Sequence, residues 1–315
     1  MTGQEDKAKL IAGIGELLWD LLPAGAQLGG AVSNFAVMSA RLGGRGVCAS
    51  RVGRDELGGE ARERISRAGA DASFLQEDSV HPTGSVSVTL KDGQPEYVIH
   101  SPVAWDFLEL TDAWLELARR ADAVCFGTLA QRAPVSSRTI QGFLAATAPG
   151  CVRVYDVNLR PPFYSAAIVE RSLMSATLLK MNDAEAPVIL DLLGLRPPRL
   201  EGGLRQEELL ASAQKLLQNF PLELVCITMG DRGSLLVTRK EFDHHPGIAT
   251  KVADTVGAGD AFTAAMVHYY LRQAPLAVIN EAGNRWGSWV ASQAGGMPAL
   301  GAATREFITG AILRA

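Results

Sequence analysis

The chain has 315 residues, 47% of them hydrophobic and 20% charged, enough to bury one large α/β core or two smaller ones and too apolar for a disordered chain. Thirty basic against thirty-four acidic side chains give a formal charge of -4. That balance argues against a protein whose main task is neutralising nucleic acid or an anionic membrane, and leaves a small neutral or anionic ligand in a local pocket.

The opening "MTGQEDKAKL" is polar, and the apolar stretch after it is broken by Glu16 and Asp20. Neither a signal peptide nor a membrane span is expected, and the cytoplasm is the default compartment. Cys48, Cys125, Cys151 and Cys226 form no CxxC pair, and three of them fall in apolar runs, the pattern of core thiols in a reducing compartment. Short β-branched runs, "KLIAGIG", "GVCAS", "DAVCFG", "VRVYDV", "ATLLKM" and "ELVCITM", alternate with helical patterns. The alternation predicts a mostly parallel sheet covered by helices on both faces, in a single α/β domain over 1–315.

Between the first two runs, "LGGAVSNFAVMSARLGG" places Gly29 and Gly30 before a helix predicted to start near Ser33 and end at Gly43. Paired glycines let backbone approach a ligand, and the Asn34 amide can donate to and accept from sugar hydroxyls. A glycine turn leading into a Ser-capped core helix explains the same residues and is favoured from them alone. In "PTGSVSVTLKDGQPEYVIHSP", Val86, Val88 and Leu90 alternate with polar residues and "KDGQ" supplies a hairpin turn, which predicts a small antiparallel flap.

Ligands of parallel α/β sheets bind at the carboxyl ends of the strands, so the polar residues there matter most. "VRVYDV" runs into Asp156, Asn158 and Arg160, where arginine suits phosphate or hydroxyl recognition and a solvated strand end is the plainer explanation. "ATLLKM" runs into Asn182 and Glu185. Their spacing of three could organise the water shell of Mg²⁺ or cap a helix equally well. "LGLRPPRLEGGLRQEE" reads as a surface loop, and "ELVCITM" runs into Thr228, Gly230 and Gly233. The adjacent His244 and His245 lack companions at metal-ligand spacing and are expected on the surface.

Near the C-terminus, "DTVGAGDAF" packs Gly257, Ala258 and Gly259 against Asp260 at a helix start. Unobstructed amides and the helix dipole there would close around an anion, and the carboxylate could take a proton from a hydroxyl during phosphoryl transfer. A tight turn followed by a first-turn acid accounts for the same residues. The chain contains no GxxxxGK[ST] loop, no GxGxxG fingerprint, no HExxH and no GxSxG.

Taken in order along the chain, "GGAVSNFAVMSARLGG", "RVGRDELGG", "DVNLRPPFYS", "LLKMNDAE", "TMGDRGSLL", "DTVGAGDAFTAAMV" and "NRWGSWVASQAGGMPAL" resemble the signatures of the PfkB, or ribokinase-like, carbohydrate kinases. The resemblance implies a ribokinase-like fold whose small β lid comes from about 16–29 and 83–105. It also implies ATP-dependent phosphorylation of a sugar hydroxymethyl group. By matching position it makes Asp260 the base and the backbone of Gly257, Ala258 and Gly259 an anion hole. It places Asn182 and Glu185 at Mg²⁺ and phosphate, Thr228, Gly230 and Gly233 along the ATP phosphates and ribose, and Asn284 near the adenine. Asp20, Gly30 and Asn34 would bind the sugar, joined by Asn158 and Arg160 of the DxNxR stretch, and Asp254 and Val256 match positions that hold K⁺ in several relatives.

"GELLWDLLP", "DVNLRPPFYS" and "SPVAWDFLEL" look most like fructokinase-type members, which makes fructose the expected acceptor. 2-Keto-3-deoxygluconate kinases share a related DxNxR stretch, and "YVIHSPVAWDF" departs from the arginine- and acid-rich lid of many fructokinases. Ribose and nucleosides are further acceptors within the resemblance. A non-catalytic sugar or nucleotide sensor is the reading from another class, and against it no matched catalytic position is missing. A homodimer through the β lids is implied as well, and would protect their strand edges.

Overall fold

The computed structural model describes residues 8–22, 25–91, 94–195 and 206–312, with the backbone alone for 88–91 and 94–97. In chain order the strands are β1 (Leu10–Ile14), β2 (Leu18–Leu22), β3 (Gly25–Gly29), β4 (Arg45–Ala49), β5 (Arg51–Gly53), β6 (Gln76–Asp78), β7 (Gly84–Lys91), β8 (Gln94–Ile99), β9 (Ala123–Gly127), β10 (Val152–Asp156), β11 (Leu178–Asn182), β12 (Leu224–Thr228), β13 (Ser234–Thr238) and β14 (Phe242–His245). The α-helices are α1 (Ala31–Arg41), α2 (Glu56–Arg67), α3 (Asp112–Arg120), α4 (Pro134–Ala145), α5 (Ala166–Ser175), α6 (Glu185–Leu192), α7 (Gln206–Asn219), α8 (Ala258–Tyr270), α9 (Leu276–Ala291) and α10 (Ala302–Ile312).

Each of the six apolar runs expected as a strand is one, and together they form the parallel part of an eight-stranded sheet in the order β4-β1-β9-β10-β11-β12. β13 and β14 extend it antiparallel. Alternate side chains of these strands enter two different cores. Ala12, Val124, Phe126, Leu179, Met181 and Ile227 pack under α3 to α7. Ile11, Cys125, Val154, Leu178, Cys226 and Leu236 pack under α8, α9 and α10, with Phe35 and Met38 of α1. Because strand side chains alternate with period 2, Asp156 falls on the face of Val154, and Lys180 on the face of Leu178. Both therefore point toward α8.

A second sheet, in the order β3-β2-β7-β8, is built from two antiparallel hairpins. The antiparallel flap expected from "PTGSVSVTLKDGQPEYVIHSP" is the β7–β8 hairpin, and it joins the β2–β3 hairpin through a parallel pairing of β2 with β7, which makes the sheet mixed. The turn expected at "KDGQ" is flanked by the Lys91 and Gln94 pair, while Asp92 and Gly93 lie outside the described residues. So do 196–205, which hold most of the expected surface loop, and the first seven residues of the polar N-terminus. All four cysteines are buried and unbridged.

The first helix starts at Ala31 rather than near Ser33, and ends at Arg41. Gly30 occupies the N-cap with φ of +104°, and no side chain caps the helix. Ser33 instead lies buried inside α1, with its hydroxyl 3.6 Å from the Cys48 thiol. The glycine turn makes a capping serine unnecessary, because the Ala31 amide is met from outside by Glu16 Oε1 at 3.3 Å.

Candidate active site

The carboxyl ends of β1, β10 and β11 face the starts of α1 and α8. At α1, a Cβ added to Gly30 would lie 2.5 Å from the Glu16 carbonyl oxygen, so only glycine lets the chain turn this close to the end of β1. One turn into the helix, Asn34 donates from Nδ2 to Asp260 Oδ2 at 2.7 Å, tying the start of α1 to the start of α8. Asn34 Oδ1 and Glu16 Oε2 are buried acceptors with no hydrogen-bond partner among the described residues.

At α8, Gly257 is the N-cap in the left-handed region, φ +77°, with no side-chain cap. A Cβ there would meet Gly296 Cα at 2.4 Å. The Gly257 carbonyl accepts from Ala261 at 2.9 Å, so the amides of Ala258, Gly259 and Asp260 belong to the open first turn. Of these, Ala258 makes a long 3.3 Å bond to the Thr255 carbonyl. A helix start with free amides and positive potential is suited to an anion.

Beneath this turn Asp156 is buried, with Lys180 Nζ 3.1 Å from Oδ1 and Thr263 Oγ1 2.9 Å from Oδ2. Thr263 Oγ1 also lies 2.9 Å from the Gly259 carbonyl. Asp260 is held at a pKa of about 6 because burial, and then the neighbouring Asp156, outweigh the attraction of Lys180, the Asn34 bond and Arg160. Glu16 is raised to about 7, chiefly by burial, with its own amide and that of Ala31 pulling it down and Asp260 pushing it up. Burial would lower Lys180, but Asp156, Asp260 and Glu185 together hold it above the ordinary lysine value.

The residues expected on the sugar side lie on β2, at the start of α1 and in the turn after β10. Asp20 on β2 is raised chiefly by burial, with Arg160 pulling it down and Asp254 pushing it up. Asn158 takes the left-handed backbone, φ +41°, in the turn after β10, and Arg160 beyond it is exposed. Asn182 and Glu185 form the reciprocal pair of a capping box. The Glu185 amide donates to Asn182 Oδ1 at 2.8 Å, and the Asn182 amide to Glu185 Oε2 at 2.9 Å. Glu185 Oε1 accepts from the Leu159 amide at 2.8 Å, linking the box to the turn of Asn158. Burial raises its carboxyl, while the Asn182 amide, Lys180 and the Leu159 amide lower it.

Thr228 pairs in register with Asn182 on the neighbouring strand, and Gly230 and Gly233 bracket the 3₁₀ turn that follows it. Asn284 is buried, and its amide nitrogen is engaged by Ser234 Oγ at 2.7 Å and the Asn280 carbonyl at 2.9 Å. Asp254 accepts the Val256 amide on Oδ1 and the Gly295 amide on Oδ2, each at 3.0 Å. Asn34 and Asp260 are thus bonded to each other, Arg160 acts electrostatically on Asp260, Glu16 and Asp20, Asn182 and Glu185 pair at the end of β11 beside Thr228 on β12, and Asn284 belongs to a separate buried network with Ser234 and Asn280.

The sequence reading missed Glu16, Lys180 and Thr263. The signal for Lys180 was available, since a lone cation inside the apolar run "TLLKM" must find a buried anion. His245 also differs from expectation. It is half-buried and pairs with Glu281 at 2.6 Å, a carboxylate that is also bonded to Arg285, whereas His244 is exposed.

The model of the pfkB family carbohydrate kinases matches residues 25–302. The chain belongs to this family. It is 27% identical over 282 residues to a fructokinase of Solanum tuberosum, covering 85% of this chain and 82% of the relative. Among solved structures, a fructokinase from Vibrio cholerae O395 in a fructose-, ADP- and calcium-bound form superposes with a TM-score of 0.78 at 25% identity, over 96% of this chain and 98% of the other. An ATP complex of a sugar kinase from Pyrococcus horikoshii gives 0.76 at 25%, over 91% and 94%. This PfkB member is an ATP-dependent carbohydrate kinase of fructokinase-like type, with a ribokinase-like α/β fold, and ATP and a sugar are its substrates. No helix among the described residues is long and apolar enough to cross a membrane.

Proposed function

We propose that this PfkB kinase transfers the γ-phosphoryl group of ATP to a hydroxymethyl group of a monosaccharide, with fructose as the acceptor and Asp260 as the base. The carrying observation is the Asp260 carboxylate in the open first turn of α8, held by Asn34 from the start of α1. The acceptor hydroxyl gives its proton to Asp260 while its oxygen bonds to the γ-phosphorus and the bond to the ADP oxygen breaks. A carboxylate poised near 6 is still mostly ionised at neutral pH and is a stronger base than an ordinary aspartate. The amides at Gly257, Ala258 and Gly259 meet the charge that develops on the phosphoryl oxygens.

Asp20, Gly30, Asn34, Asn158 and Arg160 are the acceptor side of this reading. The orphan Asn34 Oδ1 supports it, as a buried acceptor that a sugar hydroxyl would satisfy. Asn182, Thr228, Gly230, Gly233 and Asn284 form the ATP side, where Asn284 acts through the Ser234 network rather than by direct contact. The sheet of β2, β3, β7 and β8, with the segments 16–29 and 83–105, is the lid.

Among the described residues no group of three or more histidine, cysteine or acidic side chains could hold a metal. Glu185, whose two oxygens each keep a lone pair beyond one backbone bond, fits a Mg²⁺ that keeps its waters and is bound mainly by phosphate. That ion would neutralise charge on the transferred phosphates. Asp254 and the backbone of Val256 offer an all-oxygen setting that suits K⁺. Four buried, unbridged thiols support a cytoplasmic setting. A homodimer through the lid is supported by partly exposed Leu21 and Val98 on its strands, and light scattering that gave a monomer at working concentration would remove it.

The test is ADP release from ATP and Mg²⁺ with fructose, ribose, 2-keto-3-deoxygluconate and nucleosides, using Asp260→Asn as control. Turnover with fructose should fall on the order of a hundred- to ten-thousand-fold in the variant, with ligand-induced thermal shifts retained. Unchanged turnover would overturn the role of Asp260, and a larger response to another acceptor would reassign the sugar.

A further inference from the structure

Lys180 is 8% exposed in the middle of a strand that is otherwise apolar until Asn182. Its ammonium is 3.1 Å from Asp156 Oδ1, and a Cβ added to Gly259 would lie 2.9 Å from Nζ, so the ammonium presses against the bare face of that glycine. Thr263, one turn further along α8, closes the group by lying within 2.9 Å of both Asp156 and the Gly259 carbonyl. We propose that Lys180 is a positioning residue for the phosphoryl transfer, acting through Gly259 and Asp260: with Asp156 and Thr263 it forms a buried, charged support beneath the glycine turn at the start of α8. The proposal rests on the reading of Asp260 as the base.

Stability alone is a poor reason for such a pair. Removing two charges from water costs several kcal/mol per ion, and apolar residues of similar volume often do as well or better. What apolar residues could not do is set the charge around Asp260. Asp156 on β10 and Asp260 on α8 repel, and two neighbouring carboxylates ordinarily drive one of them to hold its proton. A protonated Asp260 is no base. Lys180 on β11 stands with both, so that Asp260 can stay ionised beside a second buried acid. The other groups facing Asp260 are Asn34 on α1, Arg160 after β10 and Glu16 at the end of β1, itself buried with one oxygen unpartnered. The same contact with Gly259 keeps the turn from sinking toward the sheet, where its amides would no longer face the cleft.

Opposite charges in the support predict opposite effects. Log kcat should be followed against pH at saturating MgATP and acceptor for the full chain, Lys180→Met, Asp156→Asn and the double variant. In Lys180→Met the acid limb should move up by roughly one pH unit or more, with kcat at pH 7 down about twofold or more and partly recovered at higher pH. In Asp156→Asn the limb should move down, and in the double variant it should lie between the two. A support that only braced the fold would lower the plateau and leave the limb in place, so limbs at the wild-type pH in all variants, or moving the same way in both single variants, would overturn the proposal. Should Lys180→Met fail to fold, the neutral double variant and Asp156→Asn decide, since the proposal places the Asp156→Asn limb below that of the double variant. Asp260→Asn separates this result from the underlying reading: full turnover in that variant overturns the base itself, while lost turnover with unmoved limbs overturns only the support.

Discussion

Helices α2, α3 and α5 begin differently from α1 and α8. In the first group a side chain at the N-cap accepts a first-turn amide: Asp55 from Gly58 at 2.8 Å, Thr111 from Trp114 at 3.3 Å and Ser165 from Ile168 at 3.3 Å. In the second group the N-cap is a positive-φ glycine with no side chain to offer. The capped starts satisfy an amide with their own N-cap side chain, whereas the bare starts are joined by the Asn34 to Asp260 bond: at α1 the Ala31 amide is met from outside by Glu16, and at α8 the amides of Gly259 and Asp260 stay in the open first turn. Among these five helices, the two with glycine N-caps are the two whose starts meet at Asp260.

The strongest way to break that contrast is to put a side chain at a bare start. Gly257→Ala forces a left-handed backbone, which costs about 1–2 kcal/mol for an L-residue, and drives a methyl group into Gly296, 2.4 Å away. The turn must move, and with it the amides and Asp260. We expect kcat down on the order of a hundredfold or more with a lowered Tm, measured by steady-state assay and thermal denaturation. A variant with normal kcat would mean that the shape of this turn is irrelevant to the reaction.

A second test addresses the acid that meets the bare start of α1. Glu16 is 2% exposed, and its carboxyl, raised from 4.5 to about 7, favours the folded state when protonated. The sign follows from linkage: this contribution is complete below the unfolded pKa and is lost as pH rises through about 7. Glu16→Gln keeps an acceptor for the Ala31 amide and removes the charge, so it should stabilise the protein at pH 8 by up to about 3 kcal/mol and by little near pH 4.5. Denaturant titrations at the two pH values check this, and equal effects at both would show that Glu16 is not a buried neutral acid.

Much of this contrast could be read from the chain. The six parallel strands of the main sheet were legible as short apolar, β-branched runs, and the α8 start because two glycines and an acid precede an apolar helix. The start of α1 was misplaced by two residues, since Ser33 looks like a cap and only the geometry at Gly30 shows that none is needed. Lys180, Asp156 and Thr263 come from three elements, up to 107 residues apart, and meet only because strand parity turns the first two toward α8. The mixed pairing in the second sheet was likewise invisible, because register between distant hairpins leaves no local pattern.

The smallest effect belongs to the capped group, and it sharpens the contrast by being confined to stability. Ser165 caps α5 with a single 3.3 Å bond in an exposed setting, and α5 contributes Val169 and Leu173 to the core under the face of the sheet opposite α8. Ser165→Ala should cost about 1 kcal/mol of unfolding free energy, the usual loss for a serine cap. Among the described residues no hydrogen bond or ion pair joins that cap to Asp260, Lys180 or the α1 start, so kcat and both KM values should be unchanged within error. Chemical denaturation and steady-state kinetics on one preparation measure both. A kinetic change as large as that from Gly257→Ala would show that capped starts are not inert scaffold, and that the division between the two kinds of helix start does not mark the site.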